Sequence, residues 1–151
     1  MLLRPARDGD RAHVEAILRH ADLPTDGVAE HFGTFIVAEA GARVVGVAGL
    51  EVHGPDALLR SVAVAPEARG TGLGSALTRR ALADARSRGV AVVYLLTTTA
   101  ESFFPRFGFE PIARSLVPPR VQGSREFQGA CPSSAVAMRA TLGGIAEESV
   151  R

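Results

Sequence analysis

The stretch from Val62 to Ser75 constrains this chain more than any other. Val62, Ala63 and Val64 read as the end of a strand, Pro66 opens a turn, and Gly70, Gly72 and Gly74 lead into a long helical pattern. A strand, a glycine turn and a helix N-terminus in this order point successive backbone N–H groups outward. The helix dipole adds about half a positive charge at that end. Glycine lets a phosphate approach the backbone without meeting a Cβ. The stretch therefore predicts a site for a pyrophosphate-bearing cofactor. The competing reading is a turn that only packs a helix on a strand. Three alternating glycines argue against it, because each costs backbone entropy that a plain turn need not spend.

Three glycine-loop types compete for the stretch. A P-loop requires G-x-x-x-x-G-K-[ST], and this chain contains no Lys, its 17 basic residues all being Arg. A dinucleotide fingerprint requires G-x-G-x-x-G. Here the glycine after Gly70 and Gly72 falls one residue early, at Gly74. What remains is [R/Q]-x-x-G-x-G, filled by Arg69, Gly72 and Gly74, with Val64-x-Pro66 upstream. In that form the stretch resembles the acetyl-CoA loop of the GNAT N-acetyltransferase superfamily.

Taken in order, the chain reads as alternating strands and helices. Leu2 to Ala6 is a predicted strand, and Asp8 and Asp10 are candidate caps for a helix carrying Val14, Ile17, Leu18 and Ala21. Thr25 is the predicted cap of a short second helix reaching Phe32. Strands follow at Thr34 to Glu39, Arg43 to Val52 and Ala57 to Val64. Leu73, Ala76, Leu77, Ala81 and Ala85 mark one face of a helix that Gly89 stops. Val90 to Leu96 is apolar enough for a strand buried on both faces, as in parallel pairing. Thr99 is the predicted cap of a short helix from Ala100 to Phe107. Strands close the pattern at Phe109 to Leu116 and Ser134 to Thr141, with an irregular stretch at 118–132 between them.

The order β-α-α-β-β-β-α-β-α-β-β resembles the GNAT fold over essentially the whole chain. The resemblance implies an α/β domain whose mixed central sheet, flanked by helices, splays between its fourth and fifth strands. It also implies one acetyltransferase domain over 1–142 and a polar tail over 143–151. Carried onto this sequence, it puts the pantetheine arm on Val62, Ala63 and Val64. The pyrophosphate then falls on the amides of Arg69, Gly70, Thr71, Gly72, Leu73, Gly74 and Ser75. Acetyl-CoA is thus the implied cosubstrate.

Composition narrows the partners. Seventeen basic residues against sixteen acidic give a net charge of +1, with no basic field for nucleic acid. No apolar run approaches about 18 residues, so no membrane span is expected. The N-terminus lacks the apolar region of a signal peptide. The single Cys131 excludes an internal disulfide and a multi-cysteine metal site. A cytoplasmic protein is the resulting expectation; the resemblance implies a small-molecule amine as acceptor and no metal, and the family's variable strand ends are compatible with a homodimer.

A second match covers Ala100 to Phe109, where A-E-S-F-F-P-R-F-G-F resembles the family pattern A-x-x-F-Y-x-x-x-G-F. Phe104 stands where many members carry a Tyr that protonates the leaving thiolate. A thiolate with a thiol pKa near about 8.5 leaves without that help. Phe103 reads either as a core aromatic or as a wall of the CoA cleft. Leu95-Leu96-Thr97-Thr98 ahead of a Phe in the Tyr position is similar to amino-acid acetyltransferases of the N-acetylglutamate synthase type. Gly46 to Val52, Ala57 to Val64, Leu95 to Ala100 and Cys131 to Val136 resemble the arsenic-resistance N-acetyltransferase family. That likeness implies an amino-acid-like arsenical or phosphinothricin-like acceptor.

Acceptor-side residues are less constrained. The family often places a Glu early in the fourth strand, and Leu58 occupies that place here. Glu51, near the end of the preceding strand, is the candidate base; it reads equally as a strand-end carboxylate or a partner for Arg60. Arg60 lies inside an apolar strand, and a buried guanidinium needs an anion. A substrate carboxylate, phosphinate or arsinate would serve, as would an internal pair with Glu51 or Asp56. Thr97 and Thr98 are candidate acceptor-binding residues at a strand end. His13, His20 and His31 fall on predicted helices and carry no catalytic reading. The leading function is transfer of acetyl from acetyl-CoA to a small amino-acid-like amine. A CoA-binding protein without catalysis and a peptide or protein acetyltransferase are the alternatives.

Overall fold

A computed structural model describes residues 1–142; the tail expected at 143–151 lies outside them. The strands are β1 (Leu2–Pro5), β2 (Phe35–Ala40), β3 (Arg43–His53), β4 (Asp56–Val64), β5 (Val92–Thr97), β6 (Glu110–Ile112) and β7 (Val136–Thr141). The helices are α1 (Arg11–His20), α2 (Val28–His31), α3 (Leu73–Ser87) and α4 (Pro119–Gln122). The strands are hydrogen-bonded in the order β1-β2-β3-β4-β5-β7-β6, one mixed sheet with its parallel pairing between β4 and β5. This is the mixed α/β architecture that the element order predicts. The chain divides into two compact units, Met1–Glu51 with Leu59–Ala81, and Val52–Leu58 with the segment from Leu82 onward.

In the first unit, β1 pairs antiparallel with β2, and β2 with β3. Val14 and Leu18, one turn apart on α1, are fully buried with Val28, Phe32, Phe35, Val37, Val47 and Ala63. Each such aliphatic side chain contributes roughly 1.5–3 kcal/mol on burial. Two glycines set the packing distances. The Phe35 ring lies across its cross-strand partner Gly49, where a Cβ would meet it at 2.3 Å. At Gly46 a Cβ would sit 2.9 Å from Leu77 of α3, so the missing side chain lets that helix lie close on the strand.

Local starts and stops differ from the sequence reading where side chains find stronger partners. Asp10 stands before α1 but makes no cap bond to it; its carboxylate is held by Arg4 instead. α2 starts after Gly27, at φ 80°, rather than at Thr25, and it is a single turn.

In the second unit, the start of β4 pairs with β5 in the register Asp56↔Val92, Ala57↔Val93 and Leu58↔Tyr94, and β4 runs on to Val64. β7 lies antiparallel between β5 and β6. Leu58, Tyr94, Val117, Val121 and Ala137 form its core. The predicted helix from Ala100 is a series of turns with a 3-10 stretch only at Phe104–Phe107. The predicted strand from Phe109 shortens to Glu110–Ile112, an edge strand in which Pro111 lacks the N–H to extend a ladder on both sides. The stretch at 118–132 is less irregular than expected, containing α4 and a wide turn over Glu126–Ala130. Arg114 donates to the carbonyls of Pro132 and Ala135 and so ties that stretch to the start of β7.

Candidate functional site

The glycine turn forms step by step from its residues. After Val64 the chain makes one more bond to β3, from Ala65 N–H to Val45 O at 2.8 Å. Pro66–Ala68 form a 3-10 turn, and Arg69 returns to extended backbone. Thr71 Oγ1 donates to Ala68 O at 2.6 Å and closes the loop on itself. Gly70 and Gly72 hold φ of 78° and 80°, a region that side chains with a Cβ resist. A Cβ at either would touch nothing within 4 Å, so glycine is required by the backbone angle and the space beside it is open. α3 begins at Leu73, and its first intrahelical bond runs from Ala76 N–H to Gly72 O at 3.1 Å. The N–H groups of Leu73, Gly74 and Ser75 therefore have no helical carbonyl to meet. Together with the dipole they make a place for an anion. Along β4, Ser61 and Ala63 are buried while Val62 and Val64 are half-buried, leaving alternate side chains accessible. Arg69 is exposed, and its Nε lies 3.3 Å from Val64 O.

A second feature of the first unit is a buried ion pair. Arg60 Nη1 donates to Glu51 Oε2 at 2.7 Å, with side-chain exposures of 0% and 1%. Arg60 Nε donates to Ser61 Oγ at 3.0 Å, and Nη2 to the Pro24 carbonyl at 3.3 Å. The anion that satisfies Arg60 is thus Glu51 itself, one of the two internal partners the sequence offers. Asp56, the other, lies 3.5 Å from Arg120. Glu51 is equally enclosed, and its carboxylate is engaged by the buried guanidinium rather than exposed at a strand end. Of the readings the sequence left open for Glu51 and Arg60, the internal pair is the contact the structure contains. His31 Nε2 approaches Glu51 Oε1 at 3.6 Å, with 28% of its side chain exposed. Sequence reasoning passed over His31, because a single histidine on a one-turn helix carries no periodic or motif signal. Ser61 adopts φ 59°, a left-handed angle inside a strand and a local strain beside Arg60.

The second unit holds the remaining candidates. Thr97 ends β5 and is 9% exposed; its Oγ1 accepts the Ala100 N–H at 2.9 Å. Thr97, rather than Thr99, is therefore the residue that caps the following turn. Thr98 is exposed. The Phe103 ring is half-buried, edge-on to Phe104 and Phe107 at 5.1 Å each, with the Arg106 guanidinium 4.9 Å above it. Phe104 is buried and edge-on to Phe109. Burial pushes the Tyr94 phenol up, and the Asp56 charge adds to that. Among the described residues, no group of three or more His, Cys, Asp or Glu side chains is placed to hold a metal ion, and no helix is long and apolar enough to cross a membrane.

Comparison with known proteins places this geometry. The profile of the acetyltransferase (GNAT) domain matches residues 31–111. An uncharacterised N-acetyltransferase of Chlorobaculum tepidum is 31% identical over 97 residues, 64% of this chain and 62% of the relative. A mycothiol acetyltransferase of Thermobispora bispora is 40% identical over 86 residues, 50% of this chain and 29% of the relative. The chain therefore spans less than two thirds of the length of these curated relatives. Among solved structures, Rv2747 from Mycobacterium tuberculosis in complex with CoA and NLQ superposes with a TM-score of 0.78 at 24% identity, over 94% of this chain and 99% of that one. N-acetylglutamate synthase from Neisseria gonorrhoeae, complexed with CoA and N-acetyl-glutamate, superposes at 0.81 and 21% identity, over 93% of this chain and 35% of that one. These likenesses agree with the fold described above. The chain belongs to the GNAT acetyltransferase family.

Proposed function

We propose that this GNAT chain transfers the acetyl group of acetyl-CoA to the amino group of a small amino-acid-like acceptor. The observation that carries the reading is the turn at Gly70 and Gly72, which opens onto the first N–H groups of α3 directly after the half-accessible stretch Val62–Val64. In this reading Val62, Ala63 and Val64 hold the pantetheine arm. The amides from Arg69 to Ser75 take the pyrophosphate, and Phe103 flanks the cofactor. Thr97 and Thr98 bond the acceptor. Glu51 and Arg60 serve it as a pair, not as separate base and receptor. CoA and N-acetyl-glutamate in the Neisseria gonorrhoeae structure support an amino-acid acceptor. The finer reading, an arsenical or phosphinothricin-like acceptor, rests on the sequence resemblance alone.

The chemistry needs little covalent help. The neutral amine nitrogen forms a bond to the thioester carbonyl carbon, the C–S bond breaks, the CoA thiolate leaves with its electron pair, and the nitrogen's surplus proton passes to the thiolate or to water. A thiol pKa near about 8.5 makes that leaving group adequate near neutral pH, so Phe104 in place of a tyrosine leaves the step open. Positioning of amine against thioester supplies much of the rate. Thiol release on mixing the protein with acetyl-CoA and an amine panel tests the proposal. The panel holds glutamate, phosphinothricin, its arsenical analogue and short peptides. Turnover of the amino-acid-like amines is expected. Acetyl-CoA binding without turnover of any amine would make the chain a CoA-binding protein, and turnover of peptides alone would make it a peptide acetyltransferase.

A further inference from the structure

We propose that His31 accepts the proton of the acceptor's ammonium group, with Glu51 and Arg60 as the positioning residues that hold its imidazole for that task. The inference rests on the acetyl-transfer reading above and moves the role of base from Glu51, the candidate the sequence offered, to His31.

The three side chains form a line of falling enclosure. The Arg60 guanidinium is fully enclosed, the Glu51 carboxylate is 1% exposed, and His31 is 28% exposed. Of the three, only the imidazole reaches the surface, so only it can meet a substrate without the buried pair opening. The line is fixed from several sides. The His31 N–H bonds to Gly27 O at 3.2 Å. The Thr34 hydroxyl lies within bonding distance of both His31 O and Leu50 O, which ties the end of α2 to β3 one residue before Glu51. Arg60 reaches the Pro24 carbonyl in the α1–α2 connection. On the strand side Arg60 is followed by Ser61 at φ 59°, and then by Val62, where the proposed pantetheine arm begins. A strained residue held between a buried pair and a proposed binding strand is the kind of local strain that a surrounding structure must over-determine.

The chemistry matches the arrangement. Imidazole changes charge near neutral pH, where an α-amino group is still mostly protonated. A neighbouring carboxylate orients the ring and balances the imidazolium that forms. This is the role of the third member in a nucleophile–base–orienter set. Arg60 in turn holds the Glu51 carboxylate at 2.7 Å. Glu51 on β3 faces His31, with Arg60 on β4 behind it, and Glu30 adjoins it on its own helix. In the step, R–NH3+ gives one proton to the imidazole. The neutral nitrogen bonds to the thioester carbon and the C–S bond breaks. The second nitrogen proton, shed on collapse, goes to the departing thiolate. The products are the acetylated amine, CoA thiol and a His31 imidazolium that releases its proton to water.

The test compares wild type with His31→Gln, His31→Ala and Glu51→Gln, using the best amine of the panel at pH 6.5 to 9.5. Acetyl-CoA dissociation constants are measured in parallel. His31→Gln is expected to lower kcat about 100-fold at pH 7, with the acetyl-CoA dissociation constant within about twofold of wild type. The deficit should shrink as pH rises, because the free amine then forms without a base. Added imidazole should restore His31→Ala at least about tenfold, an outcome that a merely structural role would not produce. Glu51→Gln should lower kcat and shift the pH profile while leaving acetyl-CoA binding intact. Wild-type turnover with an equal kcat in His31→Gln overturns this inference alone. A deficit that stays constant to pH 9.5 and resists imidazole also overturns it. Absence of turnover by wild type with every amine overturns the acetyl-transfer reading, and this inference with it.

Discussion

Two arginines of the first unit lie in apolar strand sequences, and their surroundings diverge. Arg4 on β1 makes a two-point contact with Asp10, at 2.8 and 3.0 Å, and a third bond to Glu39 at 2.7 Å. One guanidinium thus serves two carboxylates, and those bonds raise its pKa further above the solution range. The Asp10 carboxyl is held below its usual range, first by the Arg4 bond and then by the Arg7 N–H. This cluster ties β1, the turn before α1, and β2 together beside a groove of about 550 Å³. Arg60 meets Glu51, a carboxylate enclosed as fully as itself, and beyond that carboxylate lies an imidazole 28% exposed. A buried arginine in a strand is therefore no mark of a substrate site. What adjoins the pair separates the two: strand ends and a turn at Arg4, a strained residue and a surface histidine at Arg60.

Breaking each centre in turn tests that difference. The largest effect is expected at Arg60→Met, which removes the guanidinium from buried Glu51 and should cost about 3–5 kcal/mol in denaturant unfolding. Replacing both partners, in Glu51→Leu/Arg60→Met, should recover most of the stability and none of the turnover. A double variant with full activity would erase the functional distinction between the two centres. Arg4→Met should cost about 1–3 kcal/mol, because Asp10 loses a charged donor while remaining close to solvent. Its kcat per folded molecule should match wild type within about twofold, and a large loss would show that the Arg4 cluster also serves catalysis.

Acid titration sharpens the comparison. The Asp10 pKa is lowered in the folded state. Its contribution is therefore fully present above the ordinary carboxylate pKa near about 3.9, and is lost as pH falls from there toward the folded value. Melting temperatures measured from pH 2.5 to 7 should fall more steeply on the acid side for wild type than for Asp10→Asn. Matching slopes would mean that the Arg4–Asp10 contact is not a source of stability. The smallest effect is expected at the exposed pair of Arg43 and Glu67, 2.6 Å apart with side-chain exposures of 73% and 45%. Arg43→Ala should change stability by less than about 0.5 kcal/mol, and by less again in high salt. A loss comparable to that of Arg4→Met would undo the ranking by burial.

Much of the fold was legible because it is written in local patterns. Val14 and Leu18 sit one helical turn apart and both are buried. Gly89, at φ 82°, ends α3 as its place in the sequence implies. The apolar run at β5 lies between a parallel and an antiparallel neighbour. Errors gathered where a residue had two possible partners. Asp10 had a helix to cap and an arginine to bind, and the charged bond prevailed. Thr97 and Thr99 were both eligible to cap the same turn, and the backbone path chose Thr97. Pro105 and Pro111 cut short the helix and the strand that the apolar spacing had lengthened.

By itself the sequence determined the order of elements, the family, and the turn at Val62–Ser75. The order of elements and the turn follow from hydrophobic spacing and from glycine's freedom at positive φ, both properties of neighbouring residues, and the family follows from the resemblance of the motifs. Only the tertiary structure decided that Arg60 meets Glu51, and that His31 stands next to them. That pairing depends on how the β3–β4 hairpin crosses Glu51 toward Arg60, on the left-handed backbone at Ser61, and on a single turn of helix carried over β3 by Thr34. A guanidinium inside an apolar strand announces that it needs an anion. Which anion it receives is settled by what the folded chain brings within 3 Å of it, and here that is a carboxylate nine residues earlier in the same chain.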